Sequence, residues 1–211
     1  MAVTPNYSWP VPVNTDLVKD GAEAIKDLGD AIDATVFGLP APVAGLTLIN
    51  TTTFTGAVSH SFGSNASPIF TSAYRNYRII VDNGTSTSSD QSLLFRLRDN
   101  TTDLTSAVYD IQILYALSTT VGASRTSSTT SCNVGLFSPD SRSSSYVFDI
   151  TNPQLAIVKN IICSGVMFAT GEGPRMYFFN SMINSAVAYN GFTIFAGTNI
   201  SGQISIYGYD I

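Results

Sequence analysis

The chain of 211 residues is poor in charge, since Asp, Glu, Lys and Arg make up 12% of it, against roughly 25% in an average soluble domain. Hydrophobic residues make up 44%, but no run of about 18 apolar residues occurs, which excludes a membrane-spanning helix. Most of the net charge of −5 lies within residues 16–33, so the remainder is nearly neutral and offers nucleic acid no basic patch. The composition predicts a well-buried β protein that neither binds nucleic acid nor inserts into a membrane.

The first 14 residues are predicted to form an extended arm. Pro5, Pro10 and Pro12 exclude a helix or a central strand, and the stretch "SWPVPV" is typical of polyproline-like structure. Such an arm keeps one conformation only against a neighbouring protein, for which Tyr7 and Trp9 supply aromatic contacts; a floppy terminus is the alternative. The residues predicted to anchor the arm are Tyr7, Trp9, Pro10 and Pro12.

Residues 15–37 are predicted to form one amphipathic helix. Asn14 or Thr15 can cap its first turn, and Asp16 and Asp20 lie where the helix dipole favours negative charge. Apolar residues recur about every 3.5 positions, as in a coiled coil. They are Val18, Ala22, Ile25, Leu28, Ile32 and Val36. This stripe predicts association with other copies of the chain or with another protein; packing on the chain's own β body is the alternative.

Residues 38–45 form a Gly- and Pro-rich linker, and beyond it the periodicity changes from that of a helix to that of strands. Segments predicted as strands follow, separated by Gly, Ser, Asn and Thr. They are "LTLINTTTF", "NYRIIVDN", "SLLFRLRD", "YDIQILYAL", "SYVFDIT", "IVKNIICSGVMFA", "RMYFFNSMI", "GFTIFAG" and "GQISIYGYD". The absence of helices between them excludes Rossmann and TIM-barrel folds. We therefore predict a mainly β protein in which residues 46–211 form an antiparallel jelly-roll sandwich, preceded by the extended arm and the amphipathic helix.

Three polar segments are predicted to be long loops, namely Gly84–Asp90, Ser118–Ser131 and Ser138–Ser145. Long loops are often functional, although a merely solvated loop is the alternative for each. Arginines lie in the second and third segments, and two tyrosines share one face of the last predicted strand. The candidate binding surface consists of Arg125, Arg142, Tyr207 and Tyr209.

The sequence contains no convincing catalytic site. His60 is the one histidine and has no cluster of Cys or carboxylate residues near it, so neither a metal site nor a Ser-His-Asp triad is expected. Two carboxylates would suffice for a glycosidase, but the candidate acids have the surroundings of structural turn residues. These acids are Asp99, Asp103, Asp110 and Glu172. Cys132 and Cys163 could pair, but two free thiols are the prediction. We expect no enzyme activity and no cofactor.

The stretch "TPNYSWPVPVNTDLVKDGAEAIKDLGDAIDATV" resembles the N-terminal segment of many bacteriophage virion proteins described as minor tail or tail-fibre proteins. Two further stretches are similar to the same group: "YRNYRIIVDNGTSTSSDQSLLFRLRD" in the middle and "NISGQISIYGYD", which resembles the close of phage fibre heads. The resemblance covers essentially the whole chain, and the N-terminal motif is its most specific part. This chain departs from the pattern by ending on Asp210 and Ile211 rather than on a basic residue.

The resemblance implies a homotrimeric virion appendage, assembled in the host cytoplasm, whose arm and helix attach it to other virion proteins. On the first hypothesis it is a tail fibre or minor tail protein whose sandwich binds a host-surface glycan or protein. On the second it is a capsid decoration protein or head fibre that grips the shell through the arm and helix. A polysaccharide-degrading tail enzyme is the third and weakest hypothesis.

Overall fold

A computed structural model describes residues 2–11, 20–38, 45–139, 142, 144–169 and 173–210. The chain divides into two compact units, Met1–Ala44 and Gly45–Ile211. Two predicted contact residues, Pro12 and Val18, and the candidate acid Glu172 lie outside the described residues.

The first strands form a hairpin, which differs from the predicted extended arm. Strand β1 (Ala2–Val3) pairs with strand β2 (Pro10–Val11) in antiparallel register. Between the strands, the N–H of Thr4 donates to the carbonyl oxygen of Trp9 at 2.9 Å, and Ser8 adopts a positive φ of 55°. The connecting segment contains Pro5 and Asn6, which are turn-forming residue types. Pro5 therefore starts a turn and Pro10 begins β2, instead of both keeping the chain extended.

Helix α1 spans Gly21–Gly38 and packs with β2 inside the N-terminal unit. Trp9 joins the hairpin to the helix, because its Nε1–H donates to Thr35 Oγ1 at 2.9 Å while its ring stacks on Tyr7 with centroids 5.1 Å apart. In the predicted apolar stripe, Ala22, Ile25 and Val36 are exposed, and Leu28 and Ile32 are half-buried. The described part of this unit therefore leaves much of the stripe uncovered, and association through it stays a prediction.

The described body is one 11-stranded antiparallel sheet that curls over its own core as a half-barrel. Its strands are β3 (Thr47–Phe62), β4 (Asn76–Ser86), β5 (Gln91–Asp99), β6 (Thr102–Asp103), β7 (Tyr109–Leu117), β8 (Thr120–Thr129), β9 (Cys132–Phe137), β10 (Ser144–Thr151), β11 (Lys159–Phe168), β12 (Pro174–Ile183) and β13 (Gly191–Tyr209). This mainly β, antiparallel architecture behind one N-terminal helix confirms the predicted fold class.

The sheet forms two layers because β3 and β13 bend and pass, paired with each other, from one layer into the other. The second half of β13 pairs with β4, and the larger layer continues in the order β10-β11-β12-β7-β8. The first half of β13 pairs with β5, which also pairs with β6 and β9 to make the smaller layer. Strand β3 follows β13 through both layers, with a shift in register between Phe195 and Ile200 where the strands bend. Such bulges let a strand turn from one sheet into another.

Large side chains from both layers fill the space between them. Phe95 on β5 meets Phe148 on β10 edge to face, with centroids 5.8 Å apart. The thiol of Cys163 on β11 donates to the carbonyl oxygen of Val134 on β9 at 3.1 Å. Both cysteines are buried and free, which confirms the prediction, and burial raises the pKa of Cys132 to about 12.

The predicted loop Ser118–Ser131 is wrong, since most of it is strand β8 at the edge of the larger layer. Its sequence "TVGASRTSST" has no apolar alternation that could distinguish a strand from a loop. Hydrogen bonding to β7 holds it in place, with Arg125 opposite Gln112 and Val121 opposite Ala116. The conformation of β8 is therefore determined by its pairing with β7, the strand that precedes it in the sequence, and not by its own hydrophobic pattern.

Candidate functional site

The outer face of the larger layer carries the candidate site. Alternate residues of β10, β11, β12, β7 and β8 point away from the core, and register places them in rows across the sheet. One row runs from Ile162 through Asn180 and Gln112 to Arg125. The next row on the same face holds Asn160, Met182 and Asp110.

These two rows line an open groove of about 450 Å³, referred to below as the groove. Its side chains divide into an apolar pair and a polar set. Ile162 and Met182 are both exposed and supply the apolar surface. The polar set consists of Asp110, Gln112, Arg125, Asn160 and Asn180.

The two charges of the groove are held differently. Asp110 is fixed, since its Oδ1 accepts a hydrogen bond from the backbone N–H of Ser128 at 2.9 Å. Arg125 is exposed, and within the described part of the chain its guanidinium makes no hydrogen bond or ion pair. Its five N–H donors are therefore available to a ligand, next to the amides of Gln112 and Asn180.

Such a lining suits a ligand that has many hydroxyl groups and an apolar face. Each primary amide offers two N–H donors and one carbonyl acceptor, so it can either donate a hydrogen bond to a hydroxyl group or accept one from it. A guanidinium binds carboxylate groups in bidentate geometry. A sugar ring presents hydroxyls at its edge and C–H groups on its face, which Ile162 and Met182 can cover. The arrangement is therefore a binding surface for polar, sugar-like ligands.

Tyr207 and Tyr209 lie on the same outer face but far from the groove. Ile162 faces Asp149 on β10, Asp149 faces Arg78 on β4, and Arg78 faces Tyr207 on β13. At about 4.8 Å between neighbouring strands, the six steps from β13 to β8 separate Tyr207 from Arg125 by roughly 29 Å along the sheet.

An ion pair separates these tyrosines from the groove. Arg78 binds Asp149 through two parallel hydrogen bonds of 2.9 and 2.7 Å, which raise the pKa of the guanidinium. Partial burial, together with the charge of Asp149, raises the pKa of the Tyr209 hydroxyl. Both tyrosines are half-buried. The pair is a satisfied structural contact, which leaves Arg125 as the more available charge.

Arg142 lies elsewhere again, with its guanidinium carbon 4.8 Å from the centre of the Phe168 ring at the end of β11. The four residues predicted as one binding surface are therefore in separate places, and only Arg125 lies in the groove.

The candidate acids show structural contacts. Asp103 Oδ1 accepts from Arg98 Nη1 at 2.6 Å and from Thr193 Oγ1 at 2.7 Å. Asp99 Oδ1 lies 3.4 Å from Asn190 Nδ2. Across the described ranges, no three His, Cys, Asp or Glu side chains come together as a metal site would require. His60 lies between Phe54 and Phe62, with ring centroids 6.0 and 4.7 Å away.

Sequence reasoning missed most of the groove. Asn160, Asn180 and Gln112 fall at alternate positions of segments that were predicted as strands, so their outward direction was readable. The sequence does not show that these three side chains lie together, because that depends on which strands pair and in what register. Of the groove residues, only the two charged ones were named: Arg125 as the one charge of a polar segment, and Asp110 as a candidate acid.

The body is thus a β-sandwich formed by a curled antiparallel sheet, with a polar groove on one outer face. No protein family, curated protein or solved structure matches the chain. No helix in the described residues is long and apolar enough to cross a membrane. The function is therefore inferred from the groove and from the N-terminal motif.

Proposed function

We propose that the chain is a bacteriophage virion structural protein, a trimeric tail fibre or minor tail protein whose sandwich binds a glycan on the host surface. The observation that carries the binding role is the groove, where Arg125, which has no partner among the described residues, lies beside amides and exposed apolar side chains. The phage assignment is supported by the resemblance of the N-terminal segment. Assembly is supported by the exposed apolar stripe of α1.

The division of the chain into two units fits this role. The N-terminal unit combines a hairpin with an amphipathic helix, which are elements suited to attachment to other virion proteins. The second unit has its own core between two layers and presents the groove on a rigid sheet. Side chains on strands keep their spacing, so a sheet surface binds a repeating polymer in a defined register.

Immunogold electron microscopy of intact particles, with antibody against residues 46–211, tests the location. Label at the tail tip is the expected result and supports host recognition. Label scattered over the capsid would instead assign the chain as a decoration protein or head fibre, attached through Tyr7, Trp9 and α1. Absence of label from particles would exclude both structural roles.

Arg125→Ala tests the groove. We expect the variant to bind host-surface polysaccharide at least 10-fold more weakly, because a charged hydrogen bond contributes about 1.5–3 kcal/mol. Binding is measured on a glycan array and then by titration with the best glycan. Arg142→Ala is the matched control, since it also removes an exposed arginine but lies outside the groove, and it should bind as the unmodified protein does. Equal binding by all three proteins would remove the groove from the binding site.

A further inference from the structure

The outer face continues past the groove into a second surface, here called the apolar panel: Leu114, Val121, Met176 and Phe178. Their side chains are 47%, 70%, 54% and 44% exposed. Register makes the panel continuous, because Phe178 faces Leu114, while Met176 and Val121 face Ala116 from either side. Large apolar side chains at neighbouring positions of one sheet face are therefore left in water together.

The size of the panel marks it as an interface. Together with its small neighbours it exposes on the order of 500 Å² of apolar surface, near the upper limit for one patch on a monomeric protein. A standard protein interface buries about 800 Å² on each partner. The panel alone thus supplies more than half of what a stable contact needs.

The chemistry of the panel is that of an interface centre. The other positions in its two rows are uncharged: Ser145, Val166 and Ala116 in one, and Val147, Ser164 and Ala123 in the other. Charges lie around these rows. Asp149 and Arg125 lie in the adjacent row, Ser145 donates to the carboxylate of Asp82, and Arg142 lies over the Phe168 ring. An apolar, Met- and aromatic-containing centre with a polar rim is the usual composition of a protein interface.

We infer that the apolar panel is the surface through which copies of this chain associate, panel against panel. The panel has few hydrogen-bonding groups with which to recognise a separate receptor. Because exposed apolar side chains are unfavourable in water, a partner that is present from synthesis onward would stabilise the protein. Another copy is made together with the chain, and because the panel is uncharged, identical surfaces meet without repulsion. Crosslinking and sedimentation need no glycan, so they test the contact separately from glycan binding, even though Arg125 of the groove borders the panel.

Site-specific photo-crosslinking of the full chain tests the contact directly. A benzophenone amino acid at position 178 should join two copies, and mass spectrometry should map the second site to the panel of the other copy. A crosslink to residues 2–38 would overturn the inference, because the N-terminal unit would then cover the panel. The lack of any crosslink between copies would overturn it as well.

Sedimentation velocity tests the energy of the contact. All proteins carry Ile25→Asp, so that the apolar stripe of α1 cannot hold the copies together. Addition of Phe178→Asp should weaken self-association about 30-fold or more, as removal of a central contact does. Val187→Asp is the matched control, because Val187 is 52% exposed but lies in the connection between β12 and β13, and it should change nothing.

Two results would contradict the panel as the interface. One is a monomeric Ile25→Asp protein, and the other is unchanged association after Phe178→Asp. Circular dichroism establishes that the variants fold. Should Phe178→Asp fail to fold, Val121→Asp on the edge strand β8 replaces it, with the same expected loss and the same contradicting result.

Discussion

Phe192→Ala should lower the free energy of unfolding of the body by about 4 kcal/mol, the loss usual for removal of a large buried aromatic side chain. Phe192 is fully buried on β13. Its ring stacks on those of Phe62, Phe95 and Phe70, with centroid distances of 4.9, 5.3 and 5.7 Å. Alanine leaves a cavity where three rings meet, and the surrounding strands are too constrained to close it.

Urea unfolding followed by circular dichroism measures this loss, because the strand signal comes from the body. Trp9, the single tryptophan, follows the N-terminal unit separately by fluorescence. Phe195→Ala on the same strand is the control. Phe195 is half-buried with Arg96 4.5 Å from its ring centre, so a loss of about 1 kcal/mol is expected. Equal losses for the two variants would contradict the cluster as the centre of the core.

Lys159→Met should destabilise the body by about 2–3 kcal/mol, since it removes a charged donor from two partly buried hydrogen bonds. Lys159 is fully buried at the start of β11. Its Nζ donates to the carbonyl oxygen of Ser185 at 3.0 Å and to that of Val187. The ammonium also lies 5.1 Å from the centre of the Tyr189 ring. One side chain thereby fixes the connection between β12 and β13.

The destabilisation should depend on pH in a direction set by burial. Burial lowers the pKa of Lys159 to about 8 in the folded protein, against about 10.4 in the unfolded chain. Between these values the unfolded chain binds more protons, so the stability contributed by Lys159 rises with pH. The stability difference between the unmodified protein and Lys159→Met should therefore grow by about 1 kcal/mol per pH unit above pH 8.

Urea titrations at pH 7, 8 and 9 test this dependence. Comparison with Lys159→Met cancels the titration of the buried cysteines and tyrosines, which is common to both proteins. Lys26→Met is the control, because Lys26 forms an exposed ion pair with Asp30 and its loss should have no measurable effect. A difference that shrinks as pH rises would show that the two carbonyl oxygens favour the charged amine more than burial opposes it.

Hydrophobic alternation was enough to predict the β class and most of the strands. It succeeded for β10 and β12, where buried and less buried residues alternate along the whole strand. It failed for β8, where Ser, Thr, Gly and Ala give no hydrophobic pattern. It also failed for the N-terminal hairpin, where the turn-forming residues between β1 and β2 outweighed the tendency of proline to keep the chain extended. Local patterns predict an element only when its own side chains determine it.

The same limit applies to β13 and to the groove. The sequence suggested two strands, "GFTIFAG" and "GQISIYGYD", whereas one strand of 19 residues runs through both. Its continuity depends on β3 bending alongside it, which no local pattern encodes. The groove depends in the same way on register across β11, β12, β7 and β8. The sequence analysis named its two charges, Asp110 and Arg125, for separate reasons and did not bring them together.

The position of β13 has a consequence for synthesis. It lies between β3 and β4 in the larger layer and between β3 and β5 in the smaller one. It is made after every other described strand, while its partner β3 is the first strand of the body to emerge from the ribosome. Pairings between such distant segments form slowly, because a long loop must close before any contact compensates. Neither layer can be completed on a nascent chain that lacks residues 191–209, so the body folds only after its last strand is released. Until then its apolar faces depend on chaperones or on the speed of elongation to avoid aggregation.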